Sequence, residues 1–105
     1  MCPQTILGEP FFPADPRWEP AYRFATRHQL PVMIHSGDTY DPAGKLKYSH
    51  PLHIDDAAVD FPEVKFVICH IGNPWVRDCM EVVYKNANVS TDISGLVLGE
   101  FSDRF

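Results

Sequence analysis

Two histidines and an aspartate have the residue types and positions of a metal-binding or catalytic set. His35 follows the apolar residues 32–34, His70 follows the apolar residues 66–69, and Asp92 lies in the alternating run that comes next. Neutral imidazole nitrogen and carboxylate oxygen are ligands suited to zinc, iron or manganese. A metal held in this way can lower the pKa of bound water towards neutrality, while an unliganded histidine moves protons. The pattern predicts a metal or catalytic site, and two structural histidines with satisfied hydrogen bonds are the alternative interpretation.

Parallel strands are the elements that would bring these residues together. A continuous apolar run bounded by turn formers is typical of a strand buried on both faces, although a buried helix shares this pattern. Gly72 and Pro74 after the second run favour a strand that ends in a loop. Residues 89–94 alternate between apolar and polar side chains, which predicts a third strand. Since α/β folds bind ligands at the carboxyl ends of their strands, we expect His35 and His70 to share one rim with the carboxylate of the third strand.

Three helices are expected beside these strands, over residues 19–29, 51–60 and 75–84. Helix and strand alternate with about thirty residues per unit, which predicts right-handed β-α-β crossovers and a parallel sheet. Glu81 precedes Lys85 by one helical turn, which predicts an exposed ion pair. The helix faces expected to point inward carry the following residues: Ala21, Phe24, Ala25 and His28; Leu52, Val59 and Phe61; Val76, Cys79, Met80 and Val83.

A long polar connection, residues 38–49, follows the first strand, and loops of this length in compact domains are often functional. Asp38 at its start and His50 and His53 after it are candidate substrate-binding residues, and so is Trp75 behind the turn that follows the second strand. A helical turn would place His50 and His53 on one face. An ordinary pair of surface histidines is the alternative.

The composition predicts one globular domain. The 105 residues are 45% hydrophobic and 12% aromatic, which supplies enough apolar side chains for a core and argues against disorder. We expect a single domain over residues 1–105. Prolines are concentrated near its start, so residues 1–18 are expected to form an irregular lead-in.

Charge and cysteine content exclude several classes of partner. With 14 acidic and 9 basic residues the formal net charge is −5, and there is no basic cluster for a nucleic-acid backbone. No apolar run reaches the roughly 18 residues that span a bilayer, so no membrane partner is expected. The three cysteines show no C-x-x-C spacing, which argues against a disulfide framework or a zinc knuckle and favours a cytoplasmic location.

Three segments together carry a resemblance to a known family. Residues 31–37 (PVMIHSG), 61–72 (FPEVKFVICHIG) and 88–95 (NVSTDISG) resemble successive strand ends of the amidohydrolase superfamily. The most similar branch is the amidohydrolase-2 type, which includes relatives of aminocarboxymuconate-semialdehyde decarboxylase. The resemblance implies a (β/α)8 barrel with a divalent metal, commonly zinc. It also implies hydrolysis or decarboxylation of a small carboxylate or amide-type substrate through a metal-bound water.

The resemblance also implies roles for single residues. His35 matches the metal-binding histidine after the fifth barrel strand. His70 matches the histidine after the sixth strand, which is a second ligand in binuclear members and a catalytic acid/base in mononuclear members. Asp92 and Ser94 match the end of the next strand, and we take Asp92 as a further catalytic candidate.

The chain also departs from the family pattern. A barrel needs about 250 residues, whereas the 105 residues here suffice for about three of its eight units. The H-x-H pair of the first strand and the aspartate of the eighth strand are absent. We therefore expect an α/β fold, namely a partial (β/α)8 barrel of about three parallel units. Its expected function is that of a metal-dependent hydrolase or decarboxylase present as a partial chain. The alternative is a non-catalytic, self-associating module or truncated remnant with at most weak binding of a metal or small molecule. The open sheet edges predict self-association as a homo-oligomer.

Overall fold

The computed structural model describes residues 1–3 and 10–96, in which helices and strands alternate. None of the helices in these two ranges is long and apolar enough to cross a membrane. Short 3-10 turns precede the first helix, interrupt the long polar connection and follow the second strand. The elements in chain order are α1 (Glu19–Arg27), β1 (Val32–Ile34), α2 (Leu52–Asp60), β2 (Phe66–Ile68), α3 (Val76–Lys85) and β3 (Val89–Thr91), and the 3-10 turns are Pro16–Trp18, Leu46–Tyr48 and Cys69–Gly72.

The three strands form one parallel sheet in the order β1-β2-β3. Ile34 pairs with Ile68, and Ile68 pairs with Thr91, so the last residues of all three strands lie level with one another. Each pair of neighbours is joined by a helical crossover, as the alternating pattern predicts. The strands are shorter than expected, because β2 ends before His70 and β3 ends at Thr91. The residues that follow each strand therefore meet at one rim.

The helices cover one face of this sheet. Side chains on that face, including Ile34, Phe66 and Ile68, are buried against helical residues. Tyr22 from α1 is completely buried, and its hydroxyl donates a hydrogen bond of 2.6 Å to the carbonyl of Pro13. On the opposite face Met33 keeps 47% of its surface exposed. The described part of the chain is thus a helix layer on a sheet whose second face is open.

The predicted inward faces of the helices are partly wrong. Six of the residues expected to point inward are exposed: Ala21, Phe24, His28, Leu52, Val59 and Met80. Contacts with residues distant in sequence decide which side of a helix faces the sheet; in α1 this side carries Tyr22, whose ring packs on that of Phe66. The buried residues of the three helices are Tyr22 and Ala25; Ile54, Ala57 and Ala58; Cys79 and Val82.

Met1 extends the sheet beyond β1. Its terminal nitrogen donates a hydrogen bond of 2.5 Å to the carbonyl of Met33, and its carbonyl accepts one of 2.7 Å from the amide of His35. These two hydrogen bonds join Met1 to the residues before and after Ile34, which is the bonding pattern of two parallel strands. The lead-in expected to be irregular therefore contains one ordered sheet contact. Residues 4–9 lie outside the described part.

Helices α2 and α3 are joined by a polar contact. The Lys85 ammonium lies 2.7 Å from a carboxylate oxygen of Asp55, and the Asn86 side-chain amide donates a bond of 2.7 Å to the same oxygen. The hydrogen bond from Lys85 is the main cause that lowers the pKa of Asp55 below its ordinary value. The ion pair predicted between Glu81 and Lys85 is replaced by this pairing across helices, because the packing of α2 on α3 brings Asp55 to the end of α3.

Candidate functional site

His35 and His70 lie side by side at the carboxyl ends of β1 and β2. Their ring centroids are 5.2 Å apart and their planes are inclined at 65°. His35 directly follows the last residue of β1, whereas His70 lies within the turn that follows β2. The two histidines that the sequence predicts to share a rim are therefore neighbours.

The turn that carries His70 has an unusual backbone. The φ angles of His70, Ile71 and Gly72 are 66°, 50° and 69°, all in the left-handed region. For a β-branched residue such as Ile71 this region is rarely occupied, and holding it costs about 1–3 kcal/mol. The surroundings are tight, since a Cβ added at Gly72 would lie 3.0 Å from side-chain atoms of Cys79 and Pro51. The straight strand predicted to run as far as His70 therefore ends earlier, and the turn sets where the imidazole lies.

Hydrogen bonds tie the segment after β1 to the segment after β2. The hydroxyl of Ser36, which is fully buried, donates a bond of 2.6 Å to the carbonyl of Cys69. The amide of Asp38 donates a bond of 2.9 Å to the carbonyl of Asn73. The side-chain amide of Asn73 in turn donates one of 3.1 Å to the carboxylate of Asp38. Asp38, predicted to contact substrate, thus holds the two rim segments together.

Gly37 brings the long polar connection into the same network. Its amide donates a bond of 2.8 Å to the carbonyl of Ser49, and the hydroxyl of Ser49 donates one of 2.8 Å to the carbonyl of Gly37. Gly37 has a φ of +80°, and a Cβ placed there would lie 2.0 Å from the carbonyl oxygen of Asn73. Only glycine permits this close approach of the two rim segments.

Asp92 contacts the backbone of the His70 turn. Its Oδ1 accepts hydrogen bonds of 2.8 Å from the amide of His70, 3.1 Å from the amide of Ser94 and 2.7 Å from the hydroxyl of Ser94. Burial on its own would raise the pKa of Asp92, but these hydrogen bonds outweigh burial and lower that pKa. Asp92 is therefore a carboxylate at neutral pH.

Among the residues that the structure describes, Ser94 makes the polar contacts with the His70 ring. Nδ1 of His70 lies 2.7 Å from the carbonyl oxygen of Ser94 and 2.9 Å from its hydroxyl oxygen. The sequence places Ser94 in a segment that resembles a strand end of the family but does not predict this contact. The spacing of Asp92 and Ser94 could have indicated a turn that places Ser94 near Asp92, because an aspartate side chain commonly accepts a hydrogen bond from the backbone amide two residues later.

The environment of His35 favours the neutral imidazole. Burial is the first cause that lowers its pKa, and the neighbouring His70 lowers it further, while a backbone hydrogen bond with Asp38 partly opposes the change. Neutral imidazole is the form that binds metals. His35 thus has the protonation state that a ligand requires.

The other predicted substrate-binding residues form a separate group. Nδ1 of His50 accepts a bond of 3.1 Å from the amide of Leu52, and Nε2 lies 2.9 Å from a carboxylate oxygen of Asp78. The ring of His50 lies 4.7 Å from that of Trp75 and 6.4 Å from that of His53. Mainly because of burial, the pKa of His53 is lowered. A substrate contact by His50, His53 or Trp75 stays a prediction.

The residues present fit only part of a metal centre. Within residues 1–3 and 10–96, no three histidine, cysteine or acidic side chains are close enough together to hold a metal. His35 and His70 offer two imidazoles, which suit zinc as donors. Oδ1 of Asp92 is engaged by three hydrogen bonds. The described residues therefore offer two candidate imidazole ligands, and ligation of a metal by His35 and His70 stays a prediction.

Comparisons with known proteins agree with this fold. Residues 7–103 match the family described as amidohydrolase. A solved structure, an uncharacterised TIM-barrel protein from Bordetella bronchiseptica, is similar to 97% of this chain at 28% sequence identity with a TM-score of 0.71. This chain spans only 36% of the length of that protein. None of the curated proteins matches the sequence significantly. The predicted fold, a partial α/β barrel of about three units, is confirmed.

Proposed function

Because the chain belongs to the amidohydrolase family, we propose that it provides the His35–His70 part of a metal-dependent hydrolase or decarboxylase site. The observation that carries this proposal is the 5.2 Å separation of the two imidazole rings at the ends of adjacent parallel strands. Ligands of α/β folds bind at these strand ends. The substrate class is a small carboxylate or amide. The resemblance to relatives of aminocarboxymuconate-semialdehyde decarboxylase supports the carboxylate.

The two histidines have different tasks in this proposal. His35 holds the metal, in agreement with the lowered pKa that favours its neutral ring. His70 is either the second ligand or the group that moves a proton to or from the substrate. A bound divalent ion, with zinc as the first choice, would polarise a substrate carbonyl and acidify water.

Zinc binding tests the ligand assignment. The affinity of the purified chain for zinc is measured by competition with a chromophoric chelator for the wild type, His35→Ala and His70→Ala. Each substitution should weaken binding at least tenfold, because one of two imidazole ligands is lost. His28→Ala is the matched control, since His28 is exposed at the end of α1. Unchanged affinity in both site variants would show that the ligand assignment is wrong.

A second candidate function is a non-catalytic module with weak metal binding. The lack of a three-ligand group in the described ranges favours it. The two candidates differ in turnover: small carboxylate and amide substrates are supplied to the zinc-loaded chain and product is followed. Turnover that disappears in His70→Ala would exclude the non-catalytic module.

Self-association is the proposed partner interaction. Parallel sheets are ordinarily covered on both faces, whereas Met33 and Ser90 on the second face of this sheet are exposed. A second copy of the chain would remove the apolar part of this face from water. No nucleic acid or membrane partner belongs to the proposal, in agreement with the acidic net charge of −5.

A further inference from the structure

A small set of hydrogen bonds connects the end of β3 to the ring and the backbone of His70. From this geometry we infer that Asp92 and Ser94 are positioning residues, which fix His70 as the tautomer that carries its proton on Nδ1. The inference deepens the proposed function, because it specifies how His70 would serve as a ligand or as a proton acceptor. It also gives Asp92 a different role from the catalytic one that the sequence predicts.

The position of the proton follows from the atoms that face Nδ1. The carbonyl oxygen of Ser94, 2.7 Å away, can only accept a hydrogen bond. The hydroxyl of Ser94, 2.9 Å away, donates its single proton to the carboxylate of Asp92, so it too faces Nδ1 as an acceptor. Two acceptors around one ring nitrogen require that nitrogen to be the donor. In neutral His70 the lone pair is therefore on Nε2.

Asp92 holds both parts of this arrangement in place. Through one oxygen it accepts the amide of His70 at 2.8 Å and the amide of Ser94 at 3.1 Å, as well as the hydroxyl of Ser94. The carboxylate thus fixes the backbone that carries the imidazole and the residue whose carbonyl orients it. Partners of this kind set the tautomer of functional histidines in other sites.

The tautomer decides what His70 can do. With its lone pair on Nε2, the neutral ring can bind a metal or accept a proton on the side opposite Ser94. If Nε2 carried the proton instead, this nitrogen could neither bind a metal nor accept a proton. His50 provides an internal contrast, because its Nδ1 accepts the amide of Leu52 at 3.1 Å and Nε2 must then carry the proton towards Asp78. The two histidines should therefore be opposite tautomers.

Nuclear magnetic resonance of the metal-free chain tests the predicted tautomers of His70 and His50. Long-range proton–nitrogen correlation spectra of the ¹⁵N-labelled protein, recorded where the imidazoles are neutral, identify which ring nitrogen carries hydrogen. Resonances are assigned with His70→Gln and His50→Gln. We expect the Nδ1–H pattern for His70 and the Nε2–H pattern for His50. An Nε2–H pattern for His70 in the wild type would overturn the inference.

Substitutions of Asp92 test separately whether this residue fixes the tautomer of His70. Asp92→Ala and Asp92→Ser should turn the single tautomer signal of His70 into a mixture, because the turn that presents the carbonyl of Ser94 is released. Asp92→Asn retains an acceptor oxygen and should restore the wild-type pattern, and the signal of His50 should be unchanged in all three. A pure Nδ1–H signal in Asp92→Ala would refute the role of Asp92. Since neither metal nor substrate is present, failure of the proposed enzyme function would leave this result unaffected.

Discussion

Gly37 permits the close approach of the two rim segments that carry His35 and His70. It lies two positions after His35, and its backbone meets the carbonyl of Asn73 from the other rim segment. The close contact lets Asp38 donate to Asn73 and lets Gly37 bond to Ser49. The distance between the two imidazoles therefore depends on a position that has no side chain.

Replacement of Gly37 by alanine should destabilise the protein for two separable reasons. A left-handed φ costs a residue with a Cβ about 1–2 kcal/mol, and the new Cβ would lie 2.0 Å from a backbone oxygen. Gly95→Ala is the matched control, because Gly95 has a φ of +78° but its Cβ would meet its nearest neighbour at 3.6 Å. In urea unfolding, Gly95→Ala should lower the free energy of unfolding by about 1–2 kcal/mol. Gly37→Ala should lower it by the same amount and by about 1–3 kcal/mol more, because of the clash with the backbone oxygen. Equal losses would mean that the rim segments move apart at little cost.

The residue types of the site were predictable, but its polar partners were not. His35 and His70 stand out because each ends an apolar run and has a glycine two positions later. The nearest polar partner of the His70 ring is the backbone carbonyl of Ser94, and every residue has a carbonyl, so the spacing of Asp92 and Ser94 could indicate the turn but not this contact with the ring. The left-handed φ of Ile71 was equally hidden, since β-branched residues normally avoid that region.

At the level of the elements, the contact between α2 and α3 is the clearest case of stabilisation by charge. Asp55 on α2 binds both Lys85 and Asn86 at the end of α3. Lys85 is the last residue of α3 and Asn86 directly follows it, so the contact fixes where that helix ends relative to α2. The next strand, β3, begins three residues after Asn86 and depends on this placement.

Asp55 should make the stability depend on pH in the acidic range. Its pKa is lower in the folded protein than the ordinary value of 3.8, so the folded state favours the ionised carboxylate. The resulting stabilisation is complete above that ordinary value and is lost as the pH falls through the lowered pKa. At neutral pH, Asp55→Ala should cost about 1 kcal/mol of unfolding free energy. The difference from the wild type should disappear in strong acid.

Denaturant unfolding at neutral pH and in acid measures this difference. Asp56→Ala serves as control, because Asp56 is the exposed neighbour on the same helix. It should change the unfolding free energy little at either pH. If the effect of Asp55→Ala were the same at both pH values, the ion pair would not be its cause.

The helices and strands were predictable because the sequence patterns that indicate them are local. The sides of the helices that face the sheet were not predictable in this way. Apolar runs and their turn residues predicted β1 and β2, and proline and helical spacing predicted α1. The orientation of α1 depends on Tyr22, which packs on Phe61 and Phe66 at ring distances of 4.9 and 5.2 Å. These contacts are made by residues distant in sequence, so the helical period alone did not identify Tyr22 as the inward residue.

At the scale of the whole molecule, the face of the sheet that no described helix covers is the main departure from a closed α/β fold. The similar TIM-barrel protein is almost three times as long as the matched segment, since this chain spans 36% of it. In a closed barrel, side chains on the inner face of the strands pack against those of the opposite strands. Here Met33 on that face is 47% exposed. The isolated 105-residue chain should therefore reduce its exposed apolar surface by association.

Light scattering coupled to size-exclusion chromatography should show species larger than the 11.9 kDa chain, with a proportion that rises with concentration. Met33→Glu should shift this distribution towards the monomer, because it places a charge where a second copy would pack. Met80→Glu is the matched control, since Met80 is 60% exposed but lies on α3, on the helix side of the sheet. An equal response to both substitutions would indicate non-specific adhesion of exposed methionines. A monodisperse wild-type monomer would show that the chain tolerates its open face and would contradict the proposed self-association.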